Sequence, residues 1–511
     1  MLEKPRVLLL QPPVEDVYHN PPLGLAYLGA SLENGGYEVE IIDAAAPYAD
    51  YAIDDLVEEA KKFKPCLIGV TLTSYSLKYS YPLLKALSEA QLDALVVAGG
   101  PHPTLFPDEV LDHWADIAVR HDGEEAILEL VEHTQGRRAL KEILGISYRE
   151  GQRRVVHNPL RSHIKDLDVL PFPAKHLFRE EDYVRRSGDY DRFGCILTSR
   201  GCPGRCSFCS KVVRGRVARF RSAESVLKEI VSLMDRYNIR RFRFIDDIFT
   251  VRKNRVMRLC ELILEEGLDI TWTATTRLDF VDQELLRKMK EAGCRSLTYG
   301  IESANPATLK RIRKGFTPGK AKEVARMTQE TGILCSVNFM WGFPWETAEE
   351  IRATVDFIEE IRPYVTVIAP EGILIPYPGT ELYDDLKDEY HLEGWWLKDI
   401  AQNTTHGKRA RPILFKELFF NTTIFKWKFF SYPPEVVREI VRAGDIIGRH
   451  NMWLASGIVK ERIPVLPRWV LFQLLVLICK ASEHLYKFNP RLESTLMRPF
   501  FGAAEKYQHL N

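Results

Sequence analysis

Short apolar runs alternate with longer amphipathic stretches over most of this chain, and that alternation constrains its fold more than any other feature. Near the N-terminus RVLLLQP, CLIGVTLTSYS, ALVVAGGPHPTL and the start of DIAVRHDGEEAILELVE read as strands with helices between. The stretch PPLGLAYLGASLENGGYEVEIIDA reads as a helix stopped by Gly35 and Gly36, then a further strand. The pattern resumes with FGCILTS, RRFRFI (240–245), DITWTATT (269–276), CRSLTYGI (294–301), ILCSVNFMWG (333–342) and YVTVIAPEGIL (364–374), and an amphipathic stretch at 223–238 precedes RRFRFI. Repeated βα units with apolar strands imply a parallel sheet covered on both faces. The expected fold is therefore α/β: a doubly wound, Rossmann-like sheet over 1–150, a connector over 151–190, a partial (β/α)6 barrel of the TIM type over 191–390, and a mainly helical, aromatic-rich region over 391–511.

In both kinds of sheet, chemistry collects at the carboxyl ends of the strands. In the second half those ends carry Asp246 and Asp247, then Arg277, then Glu302 and Ser303, then GFPWET. Each alone has an ordinary explanation: aspartates cap helices, Glu302 suits an exposed loop, and a surface arginine makes ion pairs of little energy. In the first half the ends carry Thr73, Ser74 and Ser76, then Gly99, Gly100, His102 and Thr104, then Gly123 and Glu124. Glycines let a backbone approach a ligand, and hydroxyls and free amides grip phosphate. Tight turns without a ligand are the plain alternative, and a dinucleotide is disfavoured because no G-x-G-x-x-G follows the first strand.

Three of the nine cysteines fall in TSRGCPGRCSFCS (198–210), where Cys202, Cys206 and Cys209 are spaced C-x3-C-x2-C. The other six, Cys66, Cys195, Cys260, Cys294, Cys335 and Cys479, are scattered and suit buried apolar positions. Structural zinc usually takes two C-x2-C pairs or nearby histidines, and this chain has no second pair. Three thiolates on one loop can instead hold three irons of a 4Fe-4S cube and leave the fourth open to a small molecule.

That segment resembles the radical S-adenosylmethionine (SAM) superfamily, whose C-x3-C-x-aromatic-C motif it matches with Phe208 as the aromatic. The resemblance implies that SAM chelates the open iron and is cleaved to a 5'-deoxyadenosyl radical. It further implies that Asp246 or Asp247 and Glu302, with Ser303 beside it, bind the methionyl amine or ribose, and that Arg277 holds the carboxylate. The family's usual Gly-Gly-Glu at the second strand is replaced here by the Asp246–Asp247 pair.

From PPLGLAYLGASLENGGYEVEIIDA through GGPHPT to DLDVLPFP (166–173), the chain resembles the cobalamin-binding-domain subgroup of that superfamily. The likeness spans roughly residues 5 to 390 and makes the N-terminal strand ends candidate cobalamin contacts. His102 lies in GGPHPT, not in the D-x-H-x-x-G motif that supplies a histidine to cobalt, so it is not assigned as a cobalt ligand. The implied enzyme is a cobalamin-dependent C-methyltransferase acting on an unactivated carbon. Its implied cofactors are a 4Fe-4S cluster, SAM and cobalamin, and its implied electron source is an external one-electron donor such as flavodoxin or ferredoxin. An anaerobic cyclase of the magnesium-protoporphyrin monomethyl ester type, or a radical SAM enzyme that does not use cobalamin, stays open, because fold and cofactors do not choose among them.

Charge narrows the partners. Lysine plus arginine equals aspartate plus glutamate at 70 each, which gives no electrostatic case for nucleic acid. MLEKPRVLLLQPP reads as a strand and not as a signal peptide, so the expected location is the reducing cytoplasm. Near the C-terminus, ELFFNTTIFKWKFF (417–430) is aromatic and basic, and residues 463–488 contain an apolar run from Trp469 to Cys479 broken only by Gln473. A spanning helix needs ~20 apolar residues. The run is either a buried helix against the barrel or a segment at the inner membrane face, bracketed by Arg468, Lys480 and Lys487 with Trp469 and Tyr486 at the interface. The second option points to a small hydrophobic substrate such as an isoprenoid, a hopanoid or a tetrapyrrole.

Overall fold

Five apolar runs of the N-terminal part form consecutive parallel strands of one sheet. In the computed structural model, which describes residues 4–14, 20–151, 154–185, 187–369, 372–402, 429–462 and 467–477, the chain divides into two compact units. The first takes in the described residues of Met1–Pro203, Cys209–Arg240 and Tyr377–Arg411, and the second those of Gly204–Phe208, Arg241–Pro376 and Pro412–Asn511.

The first unit is built on a seven-stranded sheet of order β2-β1-β3-β4-β5-β6-β7. Strands β1 (Arg6–Gln11), β2 (Glu38–Asp43), β3 (Leu67–Thr71), β4 (Leu95–Gly99) and β5 (Ile117–Val119) are parallel, and β6 (Ile146–Glu150) and β7 (Arg154–His157) add antiparallel beyond them. β1 lies inside, and Val7 to Leu10 are wholly buried. Helices Leu23–Asn34 and Glu124–Thr134 pack together, as do Ile53–Phe63 and Leu77–Glu89, which is the pairing that right-handed crossovers impose on this strand order. The first helix ends at Gly35, and Gly36 follows with φ +84°, so the paired glycines stop it as their sequence implies. The strand order reverses between β1 and β3, the place where open sheets of this kind bind ligands.

FGCILTS, read as one strand, forms two short ones: β8 (Cys195–Ile196) and β9 (Ser199–Arg200). The second pairs antiparallel with β10 (Arg219–Phe220), so the chain from Gly201 to Ala218 leaves and returns through one ladder. The connector is tied down by charge as well as packing. Buried Lys175 donates to the Cys195 carbonyl at 2.6 Å and to Glu229 at 3.2 Å, and Glu229 also receives Arg221.

The second unit contains five parallel strands in sequential order: β11 (Arg241–Phe244), β12 (Thr271–Thr276), β13 (Cys294–Glu302), β14 (Leu334–Phe339) and β15 (Val367–Ala369). Helices Lys253–Glu265, Gln283–Glu291, Pro318–Glu330 and Ala348–Ile361 alternate with them, a short helix Pro306–Arg311 precedes the third of these, and sequential order with helical crossovers is the arc of a partial barrel. Asp282, Thr317 and Thr347 accept from backbone amides at the last three helix starts, and Thr347 with Glu350 completes a capping box. Phe244 and Phe249 stack at 4.6 Å, and Trp272 meets the first edge-on at 5.2 Å and the second at a tilt at 5.4 Å, all three buried.

The C-terminal region is helical where described. Helix Pro434–Arg462 packs on Ala348–Ile361 and on β15, where the Asn451 amide donates to the Ile368 carbonyl at 2.7 Å and accepts from the Ile368 N–H at 3.3 Å. His450 Nε2 bonds with the Thr366 carbonyl. Helix 468–477 buries Leu471 and Leu475 while Trp469 and Leu477 stay 64% and 61% exposed, so the described part of the apolar run has a packed face and an open one. Residues 417–428 and 478–488, Lys480, Tyr486 and Lys487 among them, lie outside the described residues. Among the described residues no helix is long and apolar enough to cross a membrane.

Candidate active site

The cysteine loop is shaped by its backbone. Gly201 has φ +90°, and a side chain there would meet the Val217 carbonyl at 2.5 Å and that of Arg214 at 2.9 Å, so only glycine fits before Cys202. The Cys202 amide donates to the Gly215 carbonyl, and the Lys211 ammonium to the Cys202 carbonyl. Cys202 is buried, Cys206 half-buried and Cys209 exposed. Among the described residues no three His, Cys, Asp or Glu side chains converge as the shell of a single metal ion, these cysteines included. Of the scattered cysteines, Cys195, Cys260, Cys294 and Cys335 are buried, Cys66 is half-buried, and Cys479 lies outside the described residues. Burial pushes the Cys260 and Cys335 thiols up to about 12, which keeps them inert.

Within the second unit the middle of that loop meets two cations. Arg277, just after β12, donates through Nη1 to Cys206 Sγ at 3.3 Å. Its Nε and Nη2 grip the Asp279 carboxylate at 2.9 and 2.8 Å, and Nη2 also donates to the Lys314 carbonyl. Lys314 is buried, its ammonium 3.1 Å from Glu302 Oε1 and 5.7 Å from the centres of the Phe208 and Phe316 rings. Glu302 closes β13 at a bulge with φ +70° and folds back over Gly300, where a side chain would lie 2.4 Å from its carboxylate. Opposite Gly300 in the ladder stands Asn338, whose Oδ1 is buried and has no hydrogen-bond partner among the described residues.

A cavity of about 300 Å³ opens at the carboxyl ends of β11 and β12, lined by Arg243 to Asp247 and Thr273 to Thr275. Asp246 is buried on its wall and Asp247 exposed. Ser303 is buried, with protein partners of its own. Its hydroxyl donates to Glu346 at 3.2 Å, bonds with Thr354 and accepts from the Asn305 N–H, which fixes the next helix start. Burial pushes the Glu346 carboxyl up to about 7, against the lowering effect of the Thr308 and Ser303 hydroxyls.

In the first unit the strand ends hold two networks. After β3, Thr73 and Ser76 bond to each other through hydroxyls and amides. Ser74 Oγ lies 3.0 Å from His102 Nδ1, and His102 Nε2 lies 3.0 Å from Glu109, which also receives Tyr81 and the Trp396 indole N–H. His102 is wholly buried and its pKa is held down by that burial, so the ring is neutral, donates through Nε2 and accepts through Nδ1. Gly100 has φ +108° against the Leu72 carbonyl, Gly99 has open space above its Cα among the described residues, and Thr104 donates to the Gly100 carbonyl and accepts from the His121 N–H.

The second network is ionic. Next to Gly123, the Asp122 carboxylate receives Arg200 at 3.2 Å and Arg219 at 2.8 Å, with His163 Nδ1 at 3.1 Å, while Arg200 also donates to Glu124 at 2.5 Å. Burial alone would raise the Asp122 carboxyl, but Arg200 and Arg219 hold it below its usual value. Lys314, Asp122, Arg200, Arg219, Glu109 and Trp396 were not singled out by the sequence. Two of them had a signal: Arg200 abuts Gly201, and Asp122 abuts Gly123.

Comparison with known proteins finds two family matches along the chain, and the first of them runs through residues of both units. Residues 196–358 match the Radical SAM superfamily and residues 15–131 the B12 binding domain. An uncharacterized methyltransferase of Pyrococcus horikoshii is 36% identical over 462 residues, 89% of this chain and 97% of its own length. The anaerobic magnesium-protoporphyrin IX monomethyl ester cyclase of Rubrivivax gelatinosus is 28% identical over 379 residues, 73% of this chain and 67% of its own. The radical S-adenosylmethionine methyltransferase TsrM from Kitasatospora setae, solved with cobalamin and a 4Fe-4S cluster, shares the fold, with a TM-score of 0.61 at 23% identity over 76% of this chain and 75% of that one.

Proposed function

Because this chain belongs to the radical SAM superfamily, in the subgroup with a cobalamin-binding domain, we propose that it is a C-methyltransferase acting on an unactivated carbon of a hydrophobic substrate. Its cofactors are a 4Fe-4S cluster, SAM and cobalamin. When bound, these groups supply the electron, the radical and the methyl group that no side chain can supply. The observation that carries the methyltransferase reading is the 36% identity to the Pyrococcus protein, named as an uncharacterized methyltransferase and matched over 97% of its length.

The residues present fit these groups. Cys202, Cys206 and Cys209 offer three thiolates on one loop, the number a cube with one open iron takes. Glu302, paired with Lys314, gives an acceptor for an amine, and the Asn338 Oδ1, which has no hydrogen-bond partner among the described residues, needs a donor such as a ribose hydroxyl. Asp246 and Asp247 line the cavity at the ends of β11 and β12. Over residues 1–150, Thr73, Ser74, Ser76, Gly99, Gly100, Thr104, Gly123 and Glu124 ring the carboxyl edge of the sheet where the corrinoid would lie, with His102 held beneath by Ser74 and Glu109.

A radical SAM enzyme needs a reductant and a substrate. We assign a small flavodoxin or ferredoxin as the donor, and a substrate related in polarity to the tetrapyrrole ester named for the Rubrivivax relative. That relative also favours a second reading, oxidative ring closure. The open face of helix 468–477, with Trp469 and Leu477, supports substrate entry from a membrane surface. Liposome flotation of the full chain checks this, and a protein that stays in the soluble fraction ends the idea.

The deciding experiment uses anaerobically reconstituted protein with SAM, a strong reductant and hydroxocobalamin. It reads 5'-deoxyadenosine and bound corrinoid together, with SAM labelled on its methyl group. Deoxyadenosine with stoichiometric corrinoid and label in the product supports methylation. Deoxyadenosine with unlabelled, dehydrogenated product supports the cyclase, and neither nucleoside nor corrinoid overturns both.

A further inference from the structure

We propose that Arg277 sets the reduction potential of the cluster by donating a hydrogen bond to the Cys206 sulfur. The inference rests on the radical SAM reading above. It assigns the arginine a task other than holding the SAM carboxylate.

The geometry is that of an aimed donor. A guanidinium carries five N–H groups in a rigid plane. Two of its nitrogens are clamped by the Asp279 carboxylate at 2.9 and 2.8 Å, and one of these is fixed further by the Lys314 carbonyl. With the plane fixed on that edge, the remaining terminal nitrogen Nη1 lies 3.3 Å from Cys206 Sγ. The side chain is only 12% exposed, so water competes little for the contact. Arginine keeps its charge at any working pH, so the donor is permanent.

The chemistry follows from where charge goes. Reduction brings one electron from an external reductant into the cluster, breaks no bond, and adds negative charge that the ligand sulfurs share. Hydrogen bonds to those sulfurs are a known lever on cluster potentials, and orienting partners outside the ligand set tune a metal centre generally. A cationic donor on Cys206 stabilises the reduced state more than the oxidised one. The potential therefore stands higher than the cysteines alone would set it. Arg277 acts through Cys206 and is a positioning residue.

The test is potentiometry of the reconstituted cluster without SAM, followed by electron paramagnetic resonance, in the wild type, Arg277→Lys and Arg277→Gln. Lysine keeps the charge but loses the planar fork, and glutamine loses the charge. The expected result is a more negative midpoint in both. In R277Q the reduced-to-oxidised ratio at the wild-type midpoint should fall at least tenfold, which is 59 mV for a one-electron couple, and R277K should fall less. Loaded variants that reduce at the wild-type potential while binding SAM more weakly overturn the inference and return Arg277 to the carboxylate. If the variants lose the cluster, the wild type labelled with 15N-arginine decides. A nitrogen coupling on the reduced cluster supports the contact, and its absence overturns it. A wild type that binds no 4Fe-4S cluster overturns the inference together with the reading beneath it, and shows this before any variant is compared.

Discussion

Arg200, two residues before Cys202, donates to the Glu124 carboxylate 2.5 Å away and to Asp122 at 3.2 Å, so the entry to the cysteine loop is ionically bound to the turn after β5. All three groups are buried, and Tyr27 lies under the guanidinium at 4.9 Å. Removing one partner of a buried ionic set strands the others, at a cost of about 3–5 kcal/mol. Arg200→Ala should lose that much in denaturant unfolding of the apo chain. Adding Glu124→Gln should restore part of it, whereas equal additive losses would show that the contact is not energetically coupled.

Glu346 gives the fold a pH dependence. Its carboxyl is pushed up to about 7 by burial, above the ordinary 4.5, so the folded chain binds this proton more tightly than the unfolded chain does. Its contribution is fully present below about pH 4.5 and is lost as pH rises through about 7, at most about 3 kcal/mol by linkage. Glu346→Gln should flatten the fall in Tm between pH 5 and 8. An unchanged slope would assign the dependence to another group, such as Asp43, which burial also pushes up to about 7.

Gly300 keeps the space into which Glu302 folds. A methyl there would stand 2.4 Å from the Glu302 carboxylate and 3.3 Å from the Lys314 ammonium. Gly300→Ala should displace the pair and weaken SAM binding by about tenfold or more, the scale of one lost charge-assisted hydrogen bond. Cluster content should remain at the wild-type level. Equilibrium SAM binding with iron analysis checks both halves.

His102 has both ring nitrogens engaged, with Ser74 and with Glu109. It is not poised to ligate cobalt. Bound cob(II)alamin should show no nitrogen hyperfine splitting from the protein, and His102→Gln should keep corrinoid binding while lowering Tm, because Glu109 loses a donor. A splitting that disappears in H102Q would make the histidine a ligand.

Much of this was legible before the structure. Strands such as TWTATT and CRSLTYGI are apolar runs of a parallel sheet, and the cysteine spacing carries its own chemistry. The division of FGCILTS was not legible, because what splits it is pairing with Arg219 and Phe220, nineteen or more residues away. Trp396 bonds Glu109 across 287 positions, and Lys314 in RIRKGF looks like any surface lysine until Glu302 folds back on it. Such long-range polar contacts have no period, so no local pattern announces them. Ser303 has partners of the same long-range kind: its hydroxyl bonds Glu346 and Thr354, which its place at a strand end does not announce.

The contact between Asn451 and Ile368 bears on how the protein behaves in a crowded solution. A carboxamide has the shape and polarity of a peptide group, and here it takes both the carbonyl and the N–H of Ile368 as a further strand would. With His450 on the Thr366 carbonyl, the helix imitates a neighbour along the outer side of β15. An unsatisfied strand edge is a template for pairing with another chain. At these positions the template is already filled from within, so one molecule offers the next nothing to zip onto there.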